Sequence, residues 1–347
     1  MIGAVLGPGS RVRRTVRWAA HRLGARAAVL MYHQISEDRP DPWNLCVSPA
    51  HFREHLEVLR KSGARLLSVA DLARALARGE VPRRAIAISF DDGYRDNLDA
   101  ARPLLEAYDA PATVFISSGY VGSRGEFWWD TLERVFLEPR ELPNRLVLQL
   151  GEVTRTWEFG SSLAQAASDR AAGPWSASMP PRTPREQVYQ ELRTLLLFAT
   201  AAERRRCTTE LLDWAGLPGE ARAAKRILDA EGVRQLAHGG LVEIGAHTVS
   251  HPDLRGLDLA SQRHELGQGK ADLEALTGLP VQGMAYPHGG ATEATRRLAG
   301  EAGFAYACST VGGGVAGSSD RLRLPRNGIR DIPGAEFRAR IAELVAL

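Results

Sequence analysis

The chain has 347 residues, 44% hydrophobic and 24% charged, a composition that supports a sizeable globular core. A formal net charge of +3 is too small to indicate nucleic-acid binding, and no run approaches the ~20 apolar residues of a membrane span. Cys46, Cys207 and Cys308 are widely separated with no CxxC pair, which excludes a disulfide framework and a thiolate zinc site.

Residues 1–27 come first in chain order. RVRRTVRWAAHRLGAR (11–26) sets Val12, Val16, Trp18, Ala19 and Leu23 among arginines and predicts a basic helix. Arg22 and Arg26 interrupt any continuous apolar stretch, so the segment does not read as a secretory signal. With the sparse cysteines, that sets the expectation of a cytoplasmic protein. Peripheral contact with anionic lipid through this helix is the sharper reading, a solvated helix the plainer one.

RAAVLMYHQI then predicts a first strand. Ser48 and Pro49 read as N-cap and first residue of a helix that Gly63 closes. ARLLSV is a short strand, DLARALARG a helix and AIAISF a third strand. YRDNLDAARPLLEAYDA is helical and PATVFISSG a fourth strand. Residues 123–230 break this rhythm. EFWWD opens them, LVLQLGEVTRTWEFG resembles a hairpin, a Pro/Ser-rich stretch follows, and two helical segments end them. After residue 230 the alternation returns with LVEIGAHT, HELGQGKADLEALTG, VQGMAYP, ATEATRRLAGEAGF, FAYACST and RLRLPR. Short apolar strands alternating with helices, and no Gly-rich dinucleotide turn, predict an α/β fold: a (β/α) barrel of about seven strands. Its halves, 28–122 and 231–347, are separated by a large mixed insertion, 123–230, that shapes the substrate pocket.

The chemistry starts where AIAISF ends on two adjacent carboxylates, Asp91 and Asp92. Two like charges at the end of a buried strand require compensation, and a cation is the direct form of it. His247 and His251, four apart in HTVSH after another apolar strand, supply imidazoles able to face one point. In a parallel barrel both motifs lie at the same end. Two histidines and one carboxylate make a facial metal site with open positions, best suited to Zn²⁺, with Co²⁺, Ni²⁺ or Fe²⁺ fitting the same ligands. The aspartate that is not a ligand is then free to act as general base.

SFDDG followed by HTVSH resembles the polysaccharide deacetylase family, carbohydrate esterase family 4 with its NodB-homology domain, over about 28–122 and 231–330. The resemblance implies a distorted NodB-like barrel and metal-dependent removal of acetyl groups from sugars. It makes Asp91 the base and Asp92, His247 and His251 the metal ligands. The family's Arg-x-Pro-Tyr-like segment corresponds to MAYPHGG, with Tyr286 beside it, His288 in place of the usual tyrosine and Ala285 in place of the arginine. His288 keeps the backbone N–H that polarises the acetyl carbonyl. Arg326, in LRLPRNG, is the candidate to steady Asp91 in the missing arginine's stead. The family's Leu-x-His general acid has no match, and His33 is put before His288 for that role. The plainer account of His33 is a hydrogen-bonded histidine at the core edge. Trp128, Trp129 and Asp130 are candidates to stack on and orient a sugar, or else to anchor the insertion. His21, His51, His55, His238 and His264 read as structural.

The function expected is deacetylation of an N-acetylated sugar or lipid-linked glycan in glycan, lipopolysaccharide, capsule or glycosylated-metabolite biosynthesis. The alternatives are a carbohydrate-binding protein with a vestigial site, and a deacylase for another amide or ester. Nothing in the sequence supports a nucleic-acid partner or determines the oligomeric state.

Overall fold

The computed structural model describes residues 26–138, 141–159 and 175–345, so the basic helix expected near the N-terminus lies outside the described residues. The first half of the barrel runs through β1 (Ala27–Tyr32), β2 (Gln34–Ile35), β3 (Cys46–Val47), α1 (Pro49–Lys61), β4 (Arg65–Leu67), α2 (Val69–Ala77), β5 (Ala85–Phe90), α3 (Arg102–Ala107) and β6 (Ala112–Ile116). The insertion contributes α4 (Trp128–Phe136), β7 (Arg145–Leu150), β8 (Val153–Glu158), α5 (Pro184–Leu197) and α6 (Ala201–Trp214). The second half follows as α7 (Ala230–Ala237), β9 (Val242–Ala246), α8 (Leu259–Thr277), β10 (Gly283–Ala285), α9 (Glu293–Glu301), β11 (Tyr306–Cys308), β12 (Asn327–Gly328) and α10 (Gly334–Leu344).

Local chemistry sets these boundaries. Ser48 accepts from the His51 N–H and Pro49 supplies the helical φ, so α1 starts there. Every residue of β5 is buried, as in a strand covered on both faces. The parallel strands are ordered β11-β10-β9-β6-β5-β1-β12, with β4 paired to the first half of β5. β1 and β5 pair in register from Ala27 with Ala85 to Tyr32 with Phe90. The segment 324–328 then joins the two edges of the sheet. Leu324 bridges Cys308 of β11, and Asn327 pairs with Leu30 of β1. This is the expected α/β barrel.

Two elements differ from expectation. RLRLPR forms a 3-10 turn at Arg321–Arg323, and the paired strand comes later, at Asn327–Gly328. Pro325 has no N–H to give to a ladder, which breaks the run. The helix expected from Tyr94 begins only as a π-turn at Asn97–Ala101 that passes into α3. The chain returning from the insertion occupies the intervening backbone, with Arg95 N donating to Arg226 O and Tyr94 bridging Ile227.

The insertion has a core of its own. Trp128, Phe136, Leu146, Leu148, Tyr189, Leu192 and Leu211 pack together. Its hairpin alternates as a half-buried strand should, with Leu146 and Leu148 inside and Val147 exposed.

Candidate active site

Register brings the two chemical motifs together. Asp91 and Asp92 follow β5, His247 follows β9, and β6 lies between these strands, with Ile116 O accepting from His247 N at 2.9 Å. Asp92 Oδ1 lies 3.5 Å from His247 Nε2 and 3.2 Å from His251 Nε2, and all three residues are buried. Asp92, Thr248 and His251 each have positive φ, at 78°, 67° and 54°. Such backbone costs about 1–3 kcal/mol per residue and persists only where its surroundings hold it.

The three side chains fit a divalent cation. Burial pushes the histidines down, His247 to about 4 and His251 to about 3, so both present lone pairs at neutral pH. His247 Nδ1 lies 2.8 Å from Ala285 O, a contact that places its proton on Nδ1 and leaves Nε2 free toward Asp92. Burial raises the Asp92 pKa, and its Oδ1 is buried without a hydrogen-bond partner. A carboxylate oxygen facing two lone pairs is repulsive without a cation among them. Two imidazoles and a carboxylate are donors for Zn²⁺ and similar ions.

Asp91 is held differently. Arg326 Nη1 and Nη2 donate to its Oδ1 and Oδ2 at 2.5 and 2.7 Å, a bidentate pair sealed from solvent. The guanidinium is itself positioned by Ser309 O and Ser89 Oγ. Burial is the largest influence on Asp91 and would raise its pKa, but the charge and hydrogen bonds of Arg326, together with the neighbouring imidazoles, keep the carboxyl well below the usual range. Asp91 Oδ2 is 4.0 Å from His247 Nε2, so an ionised carboxylate borders the Asp92–His247–His251 cluster.

Of the other candidates, His33 is partly exposed at the end of β1 and near enough for its charge to bear on Asp91 and Asp92. His288, at φ 56°, packs its ring 4.7 Å from that of His251, with Nε2 buried and unpartnered. Trp129 also reaches the cluster, 4.6 Å from the His251 ring and stacked on Phe127 at 4.4 Å.

Three expected substrate contacts are not at the mouth. Asp130 is 1% exposed, accepts from Tyr94 Oη and lies 3.3 Å from Lys225 Nζ, because its charge needs a buried partner rather than a sugar hydroxyl. Trp128 packs into the insertion core. Tyr286 is fully buried and its hydroxyl donates to Leu322 O, so its side chain points away from substrate.

Several residues shape the site through contacts that the sequence did not assign to them. Ser89 and Ala285 act through single polar atoms on strands. Glu265 of α8 accepts from Val249 N, Ser250 N and Ser250 Oγ, holding the loop between the two histidines. Gly269 offers the one sequence signal for that contact: a Cβ there would come within 2.8 Å of the Thr248 backbone.

A family model described as polysaccharide deacetylase matches residues 78–145 and 208–307, just under half of the chain, and these segments belong to that family. The poly-beta-1,6-N-acetyl-D-glucosamine N-deacetylase of Staphylococcus epidermidis is 27% identical over 109 residues, 28% of this chain and 38% of the relative's length. The chain therefore matches well under half of that curated relative. Among solved structures, the Streptococcus pyogenes deacetylase PplD, in complex with acetate, superposes with a TM-score of 0.58 at 19% identity, covering 92% of this chain and 99% of that one. IcaB from Ammonifex degensii gives 0.52 at 15% identity, covering 92% and 97%. Both share the fold.

Proposed function

We propose that this protein is a hydrolase that removes the acetyl group from an N-acetylated sugar of a glycan, with a divalent metal held by Asp92, His247 and His251. The observation that carries this reading is the buried, Arg326-fixed Asp91 carboxylate beside three side chains whose donor atoms converge. A bound Zn²⁺ or similar ion supplies Lewis acidity, acidifying water and polarising an acetyl carbonyl. Asp91 then needs only to be ionised and fixed. Its Oδ2 receives the proton of the attacking water, and the Arg326 fork keeps that oxygen from turning away. The backbone N–H of His288 serves the developing oxyanion. His33 delivers the proton to the leaving amine. It is partly open to solvent, whereas the His288 Nε2 is shut away. Trp129 walls the site beside His251 and keeps bulk water from it.

The products are acetate and a free amine on the sugar. The relatives' poly-N-acetylglucosamine activity makes a hexosamine polymer or oligomer the first substrate class to try. The test is acetate release from mono- and oligomeric N-acetylglucosamine by metal-stripped protein, by protein refilled with Zn²⁺ or Co²⁺, and by Asp91→Asn. Metal-dependent release that Asp91→Asn abolishes is the expected result. Release that survives metal removal or the substitution would overturn the reading.

A further inference from the structure

The two histidines of HTVSH are oriented by different means. His247 is fixed through its ring, Nδ1 against Ala285 O. The corresponding atom of His251, Nδ1, is buried and reaches no group beyond the residue's own backbone. Metal-binding histidines nearly always donate the second ring N–H, because that bond sets the tautomer and the aim of the ring. The aim of His251 must come from elsewhere, and its backbone, at φ 54°, is not self-stabilising.

Arg204, on α6 of the insertion, stands where that support is needed. It is 2% exposed. Its Nη1 donates to Ser250 O at 3.3 Å and His251 O at 3.2 Å. Its Nε and Nη2 donate to Leu196 O and Leu197 O, at the end of α5, at 2.8 and 2.6 Å. One guanidinium thus ties the last carbonyls of an insertion helix to the carbonyls of the histidine loop, with the Trp128 ring 5.3 Å beneath it. From the other side, Glu265 of the barrel takes the amides of Val249 and Ser250 at 2.8 and 2.9 Å. The barrel holds the loop by its amides and, through Ser118 N and Gly119 N, by the Thr248 and Val249 carbonyls, while the insertion holds the Ser250 and His251 carbonyls. Trp129, also from the insertion, packs on the His251 ring.

We infer that Arg204 is a positioning residue for the metal centre, holding His251 in its ligating orientation through the backbone and making the insertion a working part of the site. Burying a guanidinium against four neutral carbonyls is costly, and local helix capping alone does not call for it. This rests on reading Asp92, His247 and His251 as metal ligands.

The test compares the full-length parent with Arg204→Met, Arg204→Lys and Arg205→Met, the last removing an exposed arginine next to it on α6. Co²⁺ and Zn²⁺ affinities are measured by chelator competition on metal-stripped protein, together with the Co²⁺ visible spectrum and the melting curve of the metal-free form. The expected result for Arg204→Met is a roughly 10- to 100-fold weaker affinity and an altered Co²⁺ spectrum, the size seen when an outer-shell partner is lost. Arg204→Lys, keeping one charged donor, should fall between, and Arg205→Met should match the parent. Affinity within twofold of the parent in a folded Arg204 variant overturns the inference, even if that variant melts earlier. Failure of both Arg204 variants to fold makes the residue merely structural and overturns it too. A parent that binds no metal removes the ligand reading and this inference together, whereas metal binding without acetate release removes only the proposed reaction.

Discussion

The barrel and the root of the insertion each bury a cation among carboxylates, and they do so in opposite ways. Arg326, wholly inside the barrel, meets one carboxylate with two parallel hydrogen bonds. Lys225, 2% exposed, is a point charge shared by Asp130 at 3.3 Å, Asp38 at 3.6 Å and Glu133 at 3.8 Å, with Gln34 Oε1 at 2.8 Å. The consequences for the acids differ in sign. Asp91 is driven below the carboxylate range, whereas burial raises Asp130 and Glu133 despite Lys225. A planar fork concentrates its charge on one group and fixes its direction, while a shared ammonium glues several groups and fixes none. The first arrangement suits a base, the second an anchor.

The sharpest way to break this comparison is at Asp91 itself. Asp91→Asn retains the shape and loses the charge, and kcat for acetate release should fall by about 10²–10⁴-fold, the size of a lost general base. If turnover persists, the fork serves only stability. Next is Arg326→Ala, which strands Asp91 in the core. Urea unfolding should show a loss of about 3–5 kcal/mol, with turnover reduced as well, since a single partner of a buried pair is removed. Unchanged turnover would show that Asp91 needs no guanidinium to act.

Lys225→Met should cost less than Arg326→Ala in the same urea titration, because burial already raises Asp130 and Glu133 toward the neutral form. Metal affinity should be unchanged. An effect as large as that of Arg326→Ala would erase the distinction between fork and shared charge.

His55 sharpens the contrast from the neutral side. It stacks on Phe337 with ring centroids 4.0 Å apart, lies 3.1 Å from Tyr32 Oη and 2.7 Å from Ile332 O, and burial lowers its pKa to about 4. The folded state therefore disfavours its protonation. The stability it secures is complete above the unfolded pKa of about 6.5 and is lost as pH falls toward 4. Between pH 7 and pH 5 this amounts to about 2 kcal/mol. Urea titrations at both pH values should show a shallower pH slope for His55→Gln than for the parent.

Much of the site was legible because it is written in contiguous motifs at strand ends. The alternation of strands and helices predicted that SFDDG and HTVSH share one end of the barrel, and Asp92, His247 and His251 do converge there. Arg326 was reachable through the family resemblance, since the arginine position that it implies holds Ala285 and LRLPRNG offers another arginine at the end of a late strand. Its companions were not. Ser89 stands inside SFDDG without a role of its own there, and Glu265 and Arg204 are common residues in ordinary helical positions. The sugar-facing reading of Asp130 and Tyr286 arose for the same reason: a polar residue beside a motif looks available until its partner, Lys225 or Leu322 O, is known.

Sequence alone determined what is local or periodic: most of the strands and helices, the Ser48 and Pro49 start of α1, the break in rhythm over residues 123–230, and the residue types able to bind a metal. These depend on spacing, caps and burial pattern, which act over a few residues. Tertiary structure decided which charges meet. Asp91 and Arg326 are 235 positions apart, and Arg204 lies 47 before the His251 carbonyl it holds. Such pairings are set by strand order and by how the insertion folds back, and an electrostatic or hydrogen-bonded contact depends on distance in space rather than along the chain.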